Sequence, residues 1–198
     1  MTSVTVRCDM SISIDGFVCG LEAQKPPFLD DRFFRVTGWQ FNDAAAKALT
    51  AERSEQAGAY VLGRRMYDSA GEHWSVESPY RKDVFIVTHR AQEPIALADG
   101  TVFHFATDGV PAAIEAARRA CEPGKKVHVS GGADVIQQAL AADLIDELHL
   151  HIAPVLIGQG TRLFDNLPDR MVELEPAGLI DAPGMTHLSF RSPRTQQG

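Results

Sequence analysis

A strand that turns straight into a helix is the strongest constraint in this sequence. Lys126 to Val129 reads as a buried strand that breaks at Ser130-Gly131-Gly132, and a helix follows from Ala133 to Ala142 with Val135, Ile136, Ala139 and Leu140 on one face. Such a junction is the building unit of α/β domains, because the helix must lie back on a sheet to bury its apolar stripe. It also presents unpaired backbone N–H groups and the positive end of a helix dipole, which together suit a phosphate. Gly-Gly at this place is equally an ordinary tight turn, so the residues alone leave a nucleotide site and a plain connection both open.

The other segments extend the α/β reading. Val4, Val6, Cys8, Met10, Ile12 and Ile14 recur at every second position, which predicts a strand with one buried face, closed by a turn at Asp15-Gly16. The stretch from Gly20 to Gly38 has no period and predicts a long loop, a length usually kept for function. Asn42 as N-cap opens an alanine-rich helix through Gln56 that Gly58 ends. Tyr60 to Leu62, Val84 to Thr88 and Thr101 to Phe105 are short apolar strands of the kind covered on both faces in parallel sheets. A helix follows Pro111, with Ile114, Ala117 and Cys121 on one face, and closes at Gly124. From Leu148 onward the pattern looks antiparallel, with Met171 to Leu174 and Met185 to Phe190 as the closing pair. The whole predicts one α/β domain over residues 1–198 with a mixed central sheet and a polar tail, Ser192 to Gly198, that frays.

Composition removes several function classes. No apolar run approaches the roughly 20 residues a bilayer requires, and Arg7 and Asp9 interrupt the apolar stretch nearest the N-terminus, so a cytoplasmic protein is expected. A formal charge of −7 argues against a general nucleic-acid binder and leaves room for a local basic cluster that holds a small anion. Cys8, Cys19 and Cys121 lack CxxC spacing, which predicts reduced thiols rather than a disulfide frame or a zinc finger.

In open α/β sheets, ligands bind at the carboxyl ends of the parallel strands. Those ends carry Gly63-Arg64-Arg65, Thr88-His89-Arg90 and Ser130-Gly131-Gly132, the last running into Ala133, Asp134 and Val135. Arginines, small hydroxyls and free N–H groups converging there suit the phosphates of a dinucleotide. Guanidinium forks match phosphate oxygens, so Arg64, Arg65 and Arg90 are candidates for preferring NADPH to NADH; solvated surface charge is the competing reading. Asp15 is the candidate catalytic acid, placed to hold a substrate hydroxyl or amino group or to relay a proton, although Asp-Gly is also a common turn pair. Trp39, Phe41, Tyr67 and Trp74 either line a flat pocket or fill core. Leu156 and Gly158 are further substrate-binding candidates, since Gly158-Gln159-Gly160 follows a strand without opening a helix and reads as a turn at the pocket rim. Glu147, His149 and His151 share a strand face, but no further ligand motif accompanies them and no metal is predicted.

Four motifs in order resemble one family. Met10-Ser11-Ile12-Ser13-Ile14-Asp15-Gly16-Phe17, Leu62-Gly63-Arg64-Arg65-Met66-Tyr67, Val87-Thr88-His89-Arg90 and the run from Gly131 to Phe164 are similar to successive elements of one reductase domain. That domain belongs to riboflavin-biosynthesis proteins and their stand-alone relatives in the dihydrofolate-reductase-like superfamily. The resemblance implies a three-layer dihydrofolate-reductase-like fold, with a mostly parallel central sheet ending in a C-terminal antiparallel ribbon. It implies NADPH as hydride donor to a C=N or C=O bond of a pterin-, pyrimidine- or sugar-like substrate, with the glycine pair under the cofactor pyrophosphate, often through a cis peptide. Folate-reducing relatives hold the pterin with an acid on the first helix, which makes Asp43 the alternative to Asp15. Relatives pair through their C-terminal strands, which implies a homodimer. The HxE and PCxxC pattern of the zinc-deaminase half is absent, so the sequence corresponds to the reductase half. The alternative is a nucleotide- or drug-binding protein that keeps the fold without turnover.

Overall fold

The computed structural model describes residues 4–21, 31–41, 44–70, 74 and 78–193. Its strands are β1 (Val6–Ser13), β2 (Phe17–Cys19), β3 (Ala57–Gly63), β4 (Asp83–Val87), β5 (Ile95–Ala96), β6 (Val102–Ala106), β7 (Lys126–Gly131), β8 (Glu147–Ala153), β9 (Thr161–Arg162), β10 (Glu175–Ala182) and β11 (Met185–Arg191). Helices α1 (Asp31–Thr37), α2 (Ala44–Gln56), α3 (Arg64–Ala70), α4 (Gly109–Ala120) and α5 (Ala133–Ala141) accompany them, with a 3-10 turn at Gly38–Phe41. Nine strands form one mixed sheet in the order β10-β11-β8-β1-β7-β3-β4-β6-β5. The six strands from β8 to β6 are mutually parallel. β11 and β10 extend one side antiparallel, and β5 closes the other.

β1 sits near the middle of this sheet, and it is buried on both faces rather than on one. Val6, Cys8 and Ile12 join a core that includes Val110, Ile114 and Ala117 of α4 and Val135, Ile136 and Ala139 of α5. Arg7, Asp9, Ser11 and Ser13 are buried on the opposite face. There the α2 side supplies Arg53 and Gln56, and the 3-10 turn supplies Trp39. Helices therefore cover both faces of the sheet, and the second face of β1 is polar because it looks onto a cavity.

Three segments depart from the sequence reading. α1 lies inside the stretch read as featureless loop; it is short and buries only Val36, too little to print a period on the sequence. β10 replaces Met171 to Leu174 as partner of β11: nearly every residue of β10 is exposed, so no alternation marks it, while Met171 and Val172 stay exposed outside the ladder. β8, read as part of an antiparallel half, is parallel to β1 and antiparallel only to β11. Gly58 lies within β3 rather than ending α2; a Cβ there would collide with Cys121 Sγ, so close approach is what requires glycine. Asn42, read as an N-cap, lies outside the described residues. Ser192 is buried and its N–H donates to Asp146 O at 2.9 Å. Among the described residues no helix is long and apolar enough to cross a membrane.

Candidate active site

A cavity of about 1230 Å³ runs along the carboxyl ends of β3, β4 and β7, with residues of α1, α2 and α3 in its walls. That exceeds the roughly 300–1,000 Å³ of common small-ligand sites, so it has room for a large cofactor beside a small second ligand. At one end the three predicted strand ends meet. Gly63, Arg64 and Arg65 line it after β3, and Thr88, His89 and Arg90 after β4. Ser130, Gly132, Ala133, Asp134 and Val135 line it at the junction of β7 and α5. Gly131 does not. Its φ of 120° points the missing side chain at Met10 and Met66, whose Sδ atoms would lie 3.5 and 3.6 Å from a Cβ. The Gly131–Gly132 peptide is cis.

Gly132 N-caps α5, and nothing stands within 4 Å of where its Cβ would be. The result is an open cradle at a helix N-terminus, a site that backbone N–H groups and the helix dipole make favourable for phosphate. Positive side chains surround it. Arg64 Nε donates to Asp68 Oδ1 at 2.6 Å and Arg90 Nη2 to Asp68 Oδ2 at 2.8 Å, so one carboxylate fixes two guanidiniums and leaves the trio cationic. The Arg64 guanidinium also lies 5.5 and 5.6 Å from the ring centres of Tyr67 and Phe105. Arg65 is exposed and makes no ion pair among the described residues. The cradle and this charge fit a phosphorylated dinucleotide such as NADPH.

The other end, under α2, was not anticipated from the sequence. Asp9, Ser11, Arg53, Tyr60, His128 and His151 line it. Asp9 accepts hydrogen bonds from Arg7 Nε at 2.7 Å and Arg7 Nη2 at 2.9 Å; Arg53 Nε and His151 Nε2 lie 3.1 and 3.6 Å from it without a hydrogen bond of good alignment. Burial alone would raise its pKa, but His151, Arg53 and Arg7 outweigh it and hold the carboxyl well below the ordinary range. Burial pushes His128 and His151 the other way, each down to about 4. Trp39 does not line the cavity. It stands behind its floor, donating Nε1–H to Ser11 Oγ at 2.8 Å, with its ring 4.7 Å from the rings of both His151 and His187.

Asp15 also lies outside the cavity. Its carboxylate accepts from the Ser13 hydroxyl and from the backbone N–H groups of Ile157 and Gly158, at 3.1 and 2.7 Å, and these donors, led by Ser13, lower its pKa to about 2. It ties the turn after β1 to the segment after β8. Leu156 is exposed and, like Gly158, is no part of the cavity wall, whereas Phe41 is. Gly160 matters for another reason: a Cβ there would collide with Cys19 O, so its glycine lets β9 close on β2. Asp43 lies outside the described residues. His149 Nδ1 bonds Ser189 Oγ, and His151 Nδ1 lies 2.7 Å from His187 Nδ1.

A mostly parallel sheet with a cradle and a ligand-sized cavity at its strand ends defines an α/β domain built to hold a ligand at those ends. Residues 4–181 match the RibD C-terminal domain, and the chain belongs to that family. It is 25% identical over 164 residues to the YyaP protein of Bacillus subtilis (strain 168), a match covering 82% of this chain and 81% of YyaP. A putative riboflavin biosynthesis protein from Shewanella sp. PV-4 superposes with a TM-score of 0.64 at 19% identity, over 95% of this chain and 98% of its own. A pyrimidine reductase-like protein from Corynebacterium diphtheriae gives 0.58 at 16%, over 96% and 92%. At such identities the likeness is one of fold, and it bears out the architecture that the four sequence motifs imply.

Proposed function

We propose that the protein is an NADPH-dependent oxidoreductase that reduces a C=N or C=O bond of a small pterin- or pyrimidine-like heterocycle. The observation that carries this reading is one cavity joining the Gly132 cradle and its arginines to a buried polar end under α2. The first N–H groups of α5 would hold the pyrophosphate, and Arg64, Arg65 and Arg90 the ribose phosphate. Bound there, the nicotinamide supplies the hydride. Met10, Val18, Val135, Phe33, Phe34 and Phe41 give the cavity an apolar lining that would limit water beside the nicotinamide. Asp15, engaged by the Ser13 hydroxyl and the backbone N–H groups of Ile157 and Gly158, is assigned no proton transfer; water entering the polar end takes that role.

Calorimetric titration tests the reading. NADPH is expected to bind more tightly than NADH, and Arg65→Ala or Arg90→Ala to weaken NADPH roughly ten- to hundredfold while leaving NADH little changed. Binding of neither dinucleotide overturns the proposal, and binding without oxidation by any pyrimidine or pterin favours a protein that only sequesters its ligand.

The same reading pairs two copies through the C-terminal ribbon. What supports it is β10, at the sheet edge, with Leu179 and Ile180 exposed at 67% and 54%. Sedimentation is expected to give a dimer, and Ile180→Lys a monomer of unchanged fold.

A further inference from the structure

The end of the cavity under α2 holds more positive charge than its own residues balance. Asp9 is engaged by Arg7 through two hydrogen bonds, of 2.7 and 2.9 Å. Arg53 reaches the same carboxylate from α2, Nε to Oδ1 at 3.1 Å, yet its Nε and Nη1 are not aligned to hydrogen-bond any described residue. Its side chain is 18% exposed and lines the cavity. His128, buried on β7, sits with Nδ1 3.9 Å from Asp9 and leaves Nε2 equally without a partner. Among the described residues, then, one carboxylate faces two guanidiniums. A buried surplus charge and unmet donors are costly unless something compensates them.

A ligand can supply that compensation. We propose that the substrate is a planar heterocycle bearing a monoanionic oxygen group, a carboxylate or a comparable ring oxyanion, held by Arg53 and His128. The inference rests on the reading of this cavity as a reductase site and narrows its substrate class. Charge counting selects the anion: a carboxylate neutralises the single surplus charge, whereas a phosphate monoester, at about −1.5 to −2 near pH 7, overshoots it. Geometry selects the rest. A guanidinium edge matches a carboxylate, and Tyr60, Tyr80 and Trp74 also line the cavity, with successive ring centres 4.5 and 5.1 Å apart and planes inclined by 52° and 79°, an aromatic corner against which a ring can pack by face and edge. His128 stays neutral at pH 7, so in its Nε2–H tautomer it donates one hydrogen bond to the anion without adding a second charge.

The test compares orotate, a pyrimidine carboxylate, with uracil, the same ring without the carboxylate, by calorimetry on the full chain. Orotate is expected to bind roughly ten- to hundredfold more tightly than uracil, and Arg53→Met to erase the difference. Asp9 keeps Arg7 in that variant, so its thermal midpoint and NADPH affinity should stay near those of the parent. Equal affinity for the two rings, or orotate binding indifferent to Arg53→Met, overturns the inference. So does Arg53-dependent binding of uridine monophosphate that exceeds orotate. Should neither ring bind, benzoate is titrated while the His128 ring resonances are followed: Arg53-dependent shifts support the site, and their absence overturns it. Arg53-dependent orotate binding in a protein that binds no dinucleotide leaves the anion site standing and removes the reductase reading.

Discussion

Asp9→Asn is expected to lower the unfolding free energy by about 3–5 kcal/mol, the range for removing one partner of a buried ion pair. The substitution conserves shape, so no cavity opens. What changes is charge. Arg7 and Arg53 lie against the two carboxylate oxygens, and a neutral amide in that place would leave both guanidiniums buried near each other without an anion between them. Urea denaturation measures the loss. The double variant Asp9→Asn/Arg53→Met should recover part of it, because it removes one of the stranded cations, giving a coupling above about 0.5 kcal/mol. A loss under about 1 kcal/mol for the single variant, the level of a surface pair, would show that Asp9 is hydrated rather than buried.

Stability should also fall with acid through the histidines of the polar end. His128 and His151 have folded pKa values of about 4 against an ordinary 6.5. The unfolded chain therefore takes up two protons as pH falls through 6.5, and the folded protein refuses them until about pH 4. Stability is whole above the ordinary value and declines across that window, at most by about 3 kcal/mol for each histidine. Asp9 acts lower on the scale. Its folded pKa is depressed, so its contribution is present above the ordinary 3.8 and is lost as pH drops below it. Urea midpoints measured between about pH 7 and about pH 4.5 should therefore decline, and His128→Phe should flatten the slope. A constant midpoint over this range would contradict the burial of both rings.

Legibility of the sequence followed the physics of each element. The turn of β7 into α5 could be read because glycine, strand and apolar helix face are all local features, and so could the arginines that follow β3 and β4. The polar end of the cavity was hidden by the same period-two rule that revealed β1. Arg7, Asp9, Ser11 and Ser13 alternate with apolar residues as a solvent face would, and only the three-dimensional placement of α2 and Trp39 shows that this face is covered. Polar residues alternating within a strand that should lie mid-sheet were the available signal. The surroundings of Asp15 were hidden for the opposite reason: its turn is readable, but the N–H groups of Ile157 and Gly158 that bond its carboxylate come from far along the chain. β10 left no signal at all, since a strand exposed over nearly its whole length has no burial pattern to print.

The lean attachment of α2 has a consequence for descent. This helix buries no side chain fully, yet Thr50, Arg53 and Ser54 from it line the polar end of the cavity. Residues that owe little to the core can drift without unfolding the chain. Lineages carrying this domain are free to exchange the lining of that end, and with it the compound recognised, while the strand ends and the cradle of α5 remain as they are.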